Sequence, residues 1–327
     1  MEFFNPNSNV NFMGVRRFTV ALALFLMIGS VVAIATKGLN FALDFTGGTL
    51  VEVSYGDAVE QGEVVDALEG AGFRSPVVQR FDANNFSIRL SPEHSAEFAA
   101  GIDGEESSID SRNAAVGEAV LRALRASGGG HQVNLTRSEF VGPQVGRELA
   151  YNGIVAVFVV LSGILIYIAM RFEWKFGVAT IIGEFHDVIV TLGIFALMGW
   201  DFDLTVLAAI LAVDGYSVND KIVVFDRVRE LFRSSRGNDS VAVLNKAINS
   251  TLSRTIMTSV TTLLTVMALY FFGGPTLQGF SMALIIGIVV GTLSTIFYAT
   301  PLLLWLGVTK QDLMPKTRDD EELAARP

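Results

Sequence analysis

"TVLAAILAVDGYSVNDKIVVF", Thr205 to Phe225, has the length and apolar character of a membrane span, yet it carries Asp214, Asp220 and Lys221. A charged side chain near the bilayer centre costs about 2.5–3.5 kcal/mol on insertion scales. A helix that meets this cost three times has a polar task. Whether it lies in a membrane at all is decided by the rest of the chain.

Composition places it there. The 327 residues are 51% hydrophobic and 17% charged, with a mean hydropathy of +0.47. Soluble domains carry roughly 25% charged residues. Cysteine is absent, which excludes disulfides, thiol chemistry and Cys-based metal sites. His94, His131 and His186 are far apart and fit no HExxH pattern. No nucleotide loop, catalytic triad or metal motif occurs, so neither a cofactor nor ordinary enzyme activity is expected. The net charge of −9 argues against a nucleic-acid partner. It does not argue against a bilayer, where topology follows Lys and Arg in the loops rather than net charge.

A span needs about 20 mostly apolar residues. Such runs predict six transmembrane helices, at 18–36, 151–170, 176–200, 204–225, 255–272 and 279–305. The third is interrupted by Glu184, His186 and Asp187, and the sixth ends near Pro301 with a tail anchored by Trp305. A signal peptide competes for the first run, because Arg16 and Arg17 precede it. Against that, the run is long for such a segment, and "IATKGLN" is a poor cleavage site. Basic residues collect at Arg16/Arg17, Arg171/Lys175, the 226–254 loop and Lys310/Lys316/Arg318, whereas "DFD" at 201–203 and "GGPTLQ" at 273–278 have none. The positive-inside rule then puts the N-terminus (1–17), the 226–254 loop and the tail (306–327) in the cytoplasm, with 37–150 outside.

That outside segment counts seventeen acids and nine bases, a net of −8. "TLVEVSY" (49–55) alternates as a half-buried strand, and 59–72 follows as an amphipathic helix closed by glycine. "PVVQRFD" and "NFSIRLS" flank the hairpin signal Ala83–Asn84. A second helix at 111–127 stops at "GGG", and "HQVNLTRSEFVG" is a final strand. The order βαββαβ predicts a ferredoxin-like α+β domain between the first two spans. Nothing in it suggests catalysis, so a binding or lever role is expected.

Helical geometry groups the charges of the spans. Glu184 and Asp187 share a face of the third at i, i+3. On the fourth, Tyr216 and Ser217 lie one turn before Asp220, in reach of its carboxylate. Asp214 and Lys221 share a stripe about 10.5 Å apart along the axis, too far for direct pairing. On the fifth, Arg254, Thr258, Thr261 and Thr265 form a polar stripe expected to face the other two. A structural polar network is one reading of this arrangement. Four carboxyls (Glu184, Asp187, Asp214, Asp220) favour an ion or proton path instead, with His186 either a shuttle or a packing neighbour of Asp187.

"FALDFTGGTLVEVSY" after the first span resembles the DFTGG signature of the SecF family, a subunit of the bacterial SecDF complex. "FHDVIVTLGIFAL" is similar to that family's His-Asp third span, and "GYSVNDKIVVFDRVRE" to its GYSxND…VFDR(I/V)RE segment. "LSRTIMTSVTTLL…FFGGPTLQGFSMALIIGIVVGTLSTI" is similar to its last two spans. The resemblance covers essentially the whole chain. It implies a six-helix half of the resistance-nodulation-division type in the cell inner membrane. The implied partners are SecD, the SecYEG translocon with SecA in a SecYEG-SecDF-YajC type complex, and the exported unfolded polypeptide. It also implies coupling of late export to the proton or sodium motive force. Carried over by motif position, Asp220 is the titrating carboxylate and Arg254 its basic counterpart. Asp187 and His186 match the third-span pair, and Asp44, Gly47 and Gly48 the hinge, where glycine permits φ > 0.

Three positions depart from the family pattern. Glu184 stands where a small or aliphatic residue is usual, Asp214 where an aliphatic one is, and Lys221 where a small hydroxyl is. Comparable depth suggests a Glu184–Lys221 pair and leaves Asp214 without an obvious one. Two rivals are a small-molecule exporter half of the same superfamily and a non-transporting assembly factor of the translocon.

Overall fold

In a computed structural model, residues 10–80, 83–91, 109–127, 132–234 and 239–313 are described. His94, His131, the Gly128–Gly130 stop, Arg236 and the Lys316–Arg318 end of the tail lie outside them. The chain divides into two compact units, residues 41–155 and residues 1–40 with 156–327.

The second unit is helical, as lipid demands, because a helix satisfies its backbone hydrogen bonds internally. Its long helices are α1 (Arg16–Lys37), α4 (Pro143–Arg171, which begins in the other unit), α5 (Trp174–Met198), α6 (Leu204–Ser234), α7 (Ser240–Phe272) and α8 (Pro275–Ser294). Among the described residues, five segments are long and apolar enough to cross a membrane: Phe12–Lys37, Pro143–Arg171, Trp174–Met198, Ser240–Phe272 and Thr276–Trp305. The exposed faces of α1 and α4 carry large apolar side chains such as Phe18, Phe25, Ile28, Phe158 and Ile166. A face of this composition suits contact with lipid or with another helix.

Several helices outrun their apolar stretches. α6 continues to Ser234 and α7 begins at Ser240, so most of 226–254, expected as a loop, is helical. The continuation is amphipathic: Val228, Leu231 and Phe232 of α6 and Val243, Leu244 and Ala247 of α7 are buried in one apolar cluster. Asp239 caps α7, its carboxylate accepting from the Val241 and Ala242 N–H groups at 3.0 and 3.2 Å.

After α8 the helix widens into a π segment, Thr295–Ala299, and resumes as α9, Thr300–Trp305. Pro301 is the cause, since it has no N–H to give to the carbonyl four residues back. That carbonyl, on Phe297, instead accepts from Thr19 Oγ1 of α1 at 2.9 Å.

In the other unit, the strands β1 (Gly48–Tyr55), β2 (Val77–Arg80), β3 (Asn85–Leu90) and β4 (Val133–Val141) form one antiparallel sheet in the order β2-β3-β1-β4. The registers pair Val51 with Ile88 and Thr49 with Phe140, with an irregularity at Glu52/Val53 opposite β4. Alternation along β1 sends Val51, Val53 and Tyr55 to one face. They share a core with Val64 and Leu68 of α2 (Gln61–Gly70) and Val116, Val120 and Leu124 of α3 (Ile109–Ser127). Tyr55 lies edge-on to Phe86 at 5.6 Å, and burial pushes its phenol up to about 12, helped by Glu63.

Candidate functional site

Among the described residues, the interior of the helical unit holds a charged cluster built by α5 and α6. Helical spacing aims Glu184 and Asp187 of α5, and Asp214, Ser217 and Lys221 of α6, into the space between these helices. Lys221 is the centre and is fully buried. Its Nζ stands 2.7 Å from Glu184 Oε1, 2.7 Å from Asp187 Oδ2 and 2.6 Å from Ser217 Oγ. An ammonium has three protons to donate, and three oxygens surround this one. The contact to Glu184 is an ion pair rather than a well-aligned hydrogen bond, whereas those to Asp187 and Ser217 are both aligned.

Asp187 is held on both oxygens. Oδ2 accepts from Lys221 and from Ser217 Oγ at 2.7 Å, and Oδ1 lies 2.9 Å from His186 Nδ1. The His186 ring rests on Tyr298 of the π segment, with centroids 4.7 Å apart. Two glycines make room for the cluster. A Cβ on Gly183 would sit 2.6 Å from Lys221 Cε, and one on Gly291 of α8 would sit 2.7 Å from Ser217 Oγ. Neither side chain could take its place beside a larger residue.

The other carboxyls are differently placed. Asp214 is only 1% exposed, and neither of its oxygens receives a hydrogen bond from a described group. Asp220 is also buried, with its Oδ2 unbonded. The cations whose fields act on Asp220 are Lys221 and Arg254.

Two expectations about geometry are corrected. Tyr216 and Ser217 do not bond Asp220; Tyr216 Oη donates to Ser259 Oγ at 3.4 Å, and Ser217 turns to Asp187. The face of α7 turned inward is Thr255 and Ser259, not the Arg254–Thr265 stripe. Arg254, Thr261 and Thr265 are exposed and Thr258 is half-buried. The three threonine hydroxyls bond carbonyls one turn back on their own helix, a local arrangement that needs no partner helix. Ser259 meets Thr292 of α8 at 2.7 Å. Arg254 makes no ion pair among the described residues. The expected Glu184–Lys221 pair is present, and Asp187 is added to it as a second carboxylate on the same ammonium. The signal for this was present in sequence: Ser217 precedes Lys221 by one turn on the stripe that also holds Asp214.

Asp44, Gly47 and Gly48 lie in the other unit, far along the chain from this cluster. Asp44 is in the single turn Leu43–Thr46, and the two glycines that follow have φ of 69° and 119°. A Cβ on Gly48 would fall 2.3 Å from the Leu90 carbonyl oxygen, and one on Gly47 3.0 Å from Pro143 Cα. Positive φ and close backbone approach both call for glycine here.

Among the described residues, no group of three or more His, Asp or Glu is arranged to hold a metal ion. In this cluster the cation is the lysine itself.

A family profile described as "Protein export membrane protein SecD/SecF, C-terminal" matches residues 121–309, and one for the "SecD/SecF GG Motif" matches residues 32–59. The chain belongs to the SecD/SecF family. The first match contains every member of the charged cluster, and the second contains Asp44, Gly47 and Gly48. The chain is 45% identical over 312 residues to the protein translocase subunit SecF of Pseudomonas aeruginosa, covering 95% of this chain and 96% of that one. It is 39% identical to the SecF subunit of Vibrio alginolyticus, covering 98% and 97%. A solved structure of SecDF, a translocon-associated membrane protein from Thermus thermophilus, superposes with a TM-score of 0.79 at 37% identity. SecDF in a super-membrane-facing form gives 0.64 at 36%. The chain spans about two fifths of those SecDF chains, 39% and 40%. The resemblance to SecF that the motifs suggested therefore extends over the whole length.

Proposed function

We propose that the chain works as the SecF-type subunit of a protein translocase and couples the proton or sodium motive force to the late export of unfolded polypeptide. The observation that carries this reading is a set of buried carboxyls, Glu184, Asp187, Asp214 and Asp220, on two facing helices of a membrane protein. Ionisable groups at this depth are costly and mark ion or proton pathways. In the relay, Asp220 takes up and releases the ion, and Arg254 acts as its basic counterpart. Asp187 and His186 orient the neighbouring helix, and Glu184, Asp214 and Lys221 belong to the same polar core.

The architecture of the proposal is six spans in the inner membrane with both termini cytoplasmic. α6 supplies the sixth crossing, since its 31 residues reach about 46 Å. Residues 37–150 lie outside as a ferredoxin-like domain, a reading supported by the strand order β2-β3-β1-β4. Gly47 and Gly48 form the hinge by which that domain responds to the membrane core. Its partners are SecD, the SecYEG translocon with SecA, and the exported chain, and it has no enzymatic reaction of its own. The exporter-half alternative is not favoured, because the named relatives matching the whole chain are translocase subunits.

The test is export of a presecretory protein into vesicles that carry a proton motive force. Asp220→Asn should assemble normally and abolish the stimulation given by the wild-type subunit. Stimulation equal to wild type would remove Asp220 from the coupling role.

A further inference from the structure

α4 and α5, both long and apolar enough to cross a membrane, are joined by residues 172–173, between Arg171 and Trp174. Tyr167, Met170 and Trp174 around this connection are exposed. Tyr and Trp collect at the level of lipid headgroups, so this end of the two helices lies at a bilayer surface. Beside it α6 outruns its apolar stretch, and a cavity of about 580 Å³ opens. Its wall is Arg171 of α4 with Asp226, Arg229, Glu230, Arg233 and Ser234 of α6.

The charges at this cavity do not cancel. Among the described residues, Arg171 is paired with Asp226, Arg227 with Glu230 at 2.6 Å, and Arg229 with Glu173 at 2.9 Å. Arg233 is left with a 3.9 Å contact to the Glu173 oxygen that Arg229 already holds. Four guanidiniums against three carboxylates leave one positive charge over, and the Arg233 side chain that carries it is 54% exposed. Two of the arginines are fixed in advance. The Arg171 and Arg229 guanidiniums lie 5.3 and 5.5 Å from the centre of the Phe172 ring, and Arg229 Nη1 also donates to Asp226 Oδ1 at 3.3 Å. A guanidinium fork suits phosphate, whose oxygens accept from two N–H groups at once. Fixing the fork beforehand lowers the ordering cost of binding.

We propose that this cavity binds the phosphate headgroup of an anionic phospholipid, with Arg233 and Arg171 contacting the phosphate and an acyl chain lying against Met170. An amphiphile matches both parts of this surface. A free anion would answer the charge and leave the exposed Met170 uncovered, and an apolar segment would do the reverse. The cavity is on the side that the basic loops assign to the cytoplasm, where the leaflet is negatively charged and basic pockets between membrane helices hold lipid headgroups. The site is separate from the charged cluster between α5 and α6. It rests on the reading above only for the orientation in the membrane.

Lipid retention tests the proposal. The full chain with its co-purifying subunits is equilibrated in nanodiscs of equal parts phosphatidylglycerol and phosphatidylcholine and then moved into mild detergent. Native mass spectrometry reads the lipid that stays bound. Phosphatidylglycerol should be retained in preference to phosphatidylcholine, and Arg233→Gln should lower its retention about fivefold, the effect of one basic residue near an anionic lipid surface. Lys246→Gln removes an exposed cation of α7 that is not in the cavity wall, and it should leave retention unchanged. Excess inorganic phosphate should not displace the lipid. Retention without preference for the anionic lipid overturns the proposal, and so does an equal loss in both variants, which would show a general attraction of charge. Displacement by inorganic phosphate overturns it in favour of a free anion. No retained lipid overturns it in favour of a protein segment over this face. Arg233 makes one long contact, so its replacement leaves the fold in place. Retention is read without export and with both leaflets alike, so a failed relay or orientation reading does not alter the result.

Discussion

Lys221→Met places the sharpest demand on the charged cluster. The substitution keeps the length and apolar stem but removes the ammonium from between Glu184 Oε1 and Asp187 Oδ2, each 2.7 Å away. At an effective dielectric of about 20, each contact is worth about 6 kcal/mol before desolvation. The cost of burying the ammonium offsets much of that sum, and breaking a buried pair from one side typically costs about 3–5 kcal/mol. At about 2–4 °C per kcal/mol, the unfolding midpoint of the membrane unit should fall by on the order of 10 °C. The assay is thermal unfolding in lipid nanodiscs followed by tryptophan fluorescence, with wild type, Lys221→Met, Asp187→Asn and the double variant in parallel. Lys221→Met leaves two carboxyls exposed to each other, so Asp187→Asn should recover part of the loss, a coupling of about 1–3 kcal/mol. An unchanged midpoint in Lys221→Met, or strictly additive losses in the double variant, would show that the ammonium is not held by these carboxyls.

Three further outcomes are expected. Gly183→Ala should lower the same midpoint by about 1–3 kcal/mol equivalent, because its Cβ would press on a lysine pinned at its far end; Gly163→Ala, which meets nothing within 4 Å, is the control and should be neutral. Gly48→Ala should destabilise the 41–155 unit severely, since φ is 119° and the Leu90 carbonyl lies 2.3 Å from the new atom, and limited proteolysis would read it. The Tyr55 phenol is raised in the folded state from 10.0 to about 12, so its contribution to stability is complete below pH 10 and is lost as pH rises through about 12. Unfolding curves at rising pH should show that loss in wild type and a shallower one in Tyr55→Phe.

The helices and the sheet were legible because their signals are local. An uncharged run such as Tyr151–Met170 has few alternatives in lipid, and the alternation of "TLVEVSY" fixes which side of β1 is buried. The ends of helices were less legible, because apolar character stops at the membrane boundary while helical hydrogen bonding continues. α6 runs on to Ser234 by burying Val228, Leu231 and Phe232 against Val243 and Leu244 of α7. Nothing in the hydropathy of 226–254 reports a partner supplied by the next helix.

The identities of the site residues were legible, and so was the Glu184–Lys221 pair, but most other partners were not. Charges within α5 and α6 announce themselves by cost, and period 3.6 groups Glu184 with Asp187 and Asp214 with Lys221, whereas Ser217, expected beside Asp220, bonds Asp187 and Lys221 instead. What period alone does not give is the rotation of one helix against another. α7 illustrates the point. Its Arg254–Thr265 stripe is as polar as the inward Thr255–Ser259 face, and a threonine can satisfy its hydroxyl on its own backbone, so polarity does not choose between them. The glycines are the better guide. Gly183 and Gly291 stand opposite Lys221 and Ser217, and a helix face bare of side chains is where a neighbour's long polar one can enter. Lys221 follows that opening to Asp187, a residue thirty-four positions earlier. The rotation that puts it there is fixed by the steric gap, and the charge pairing follows from it.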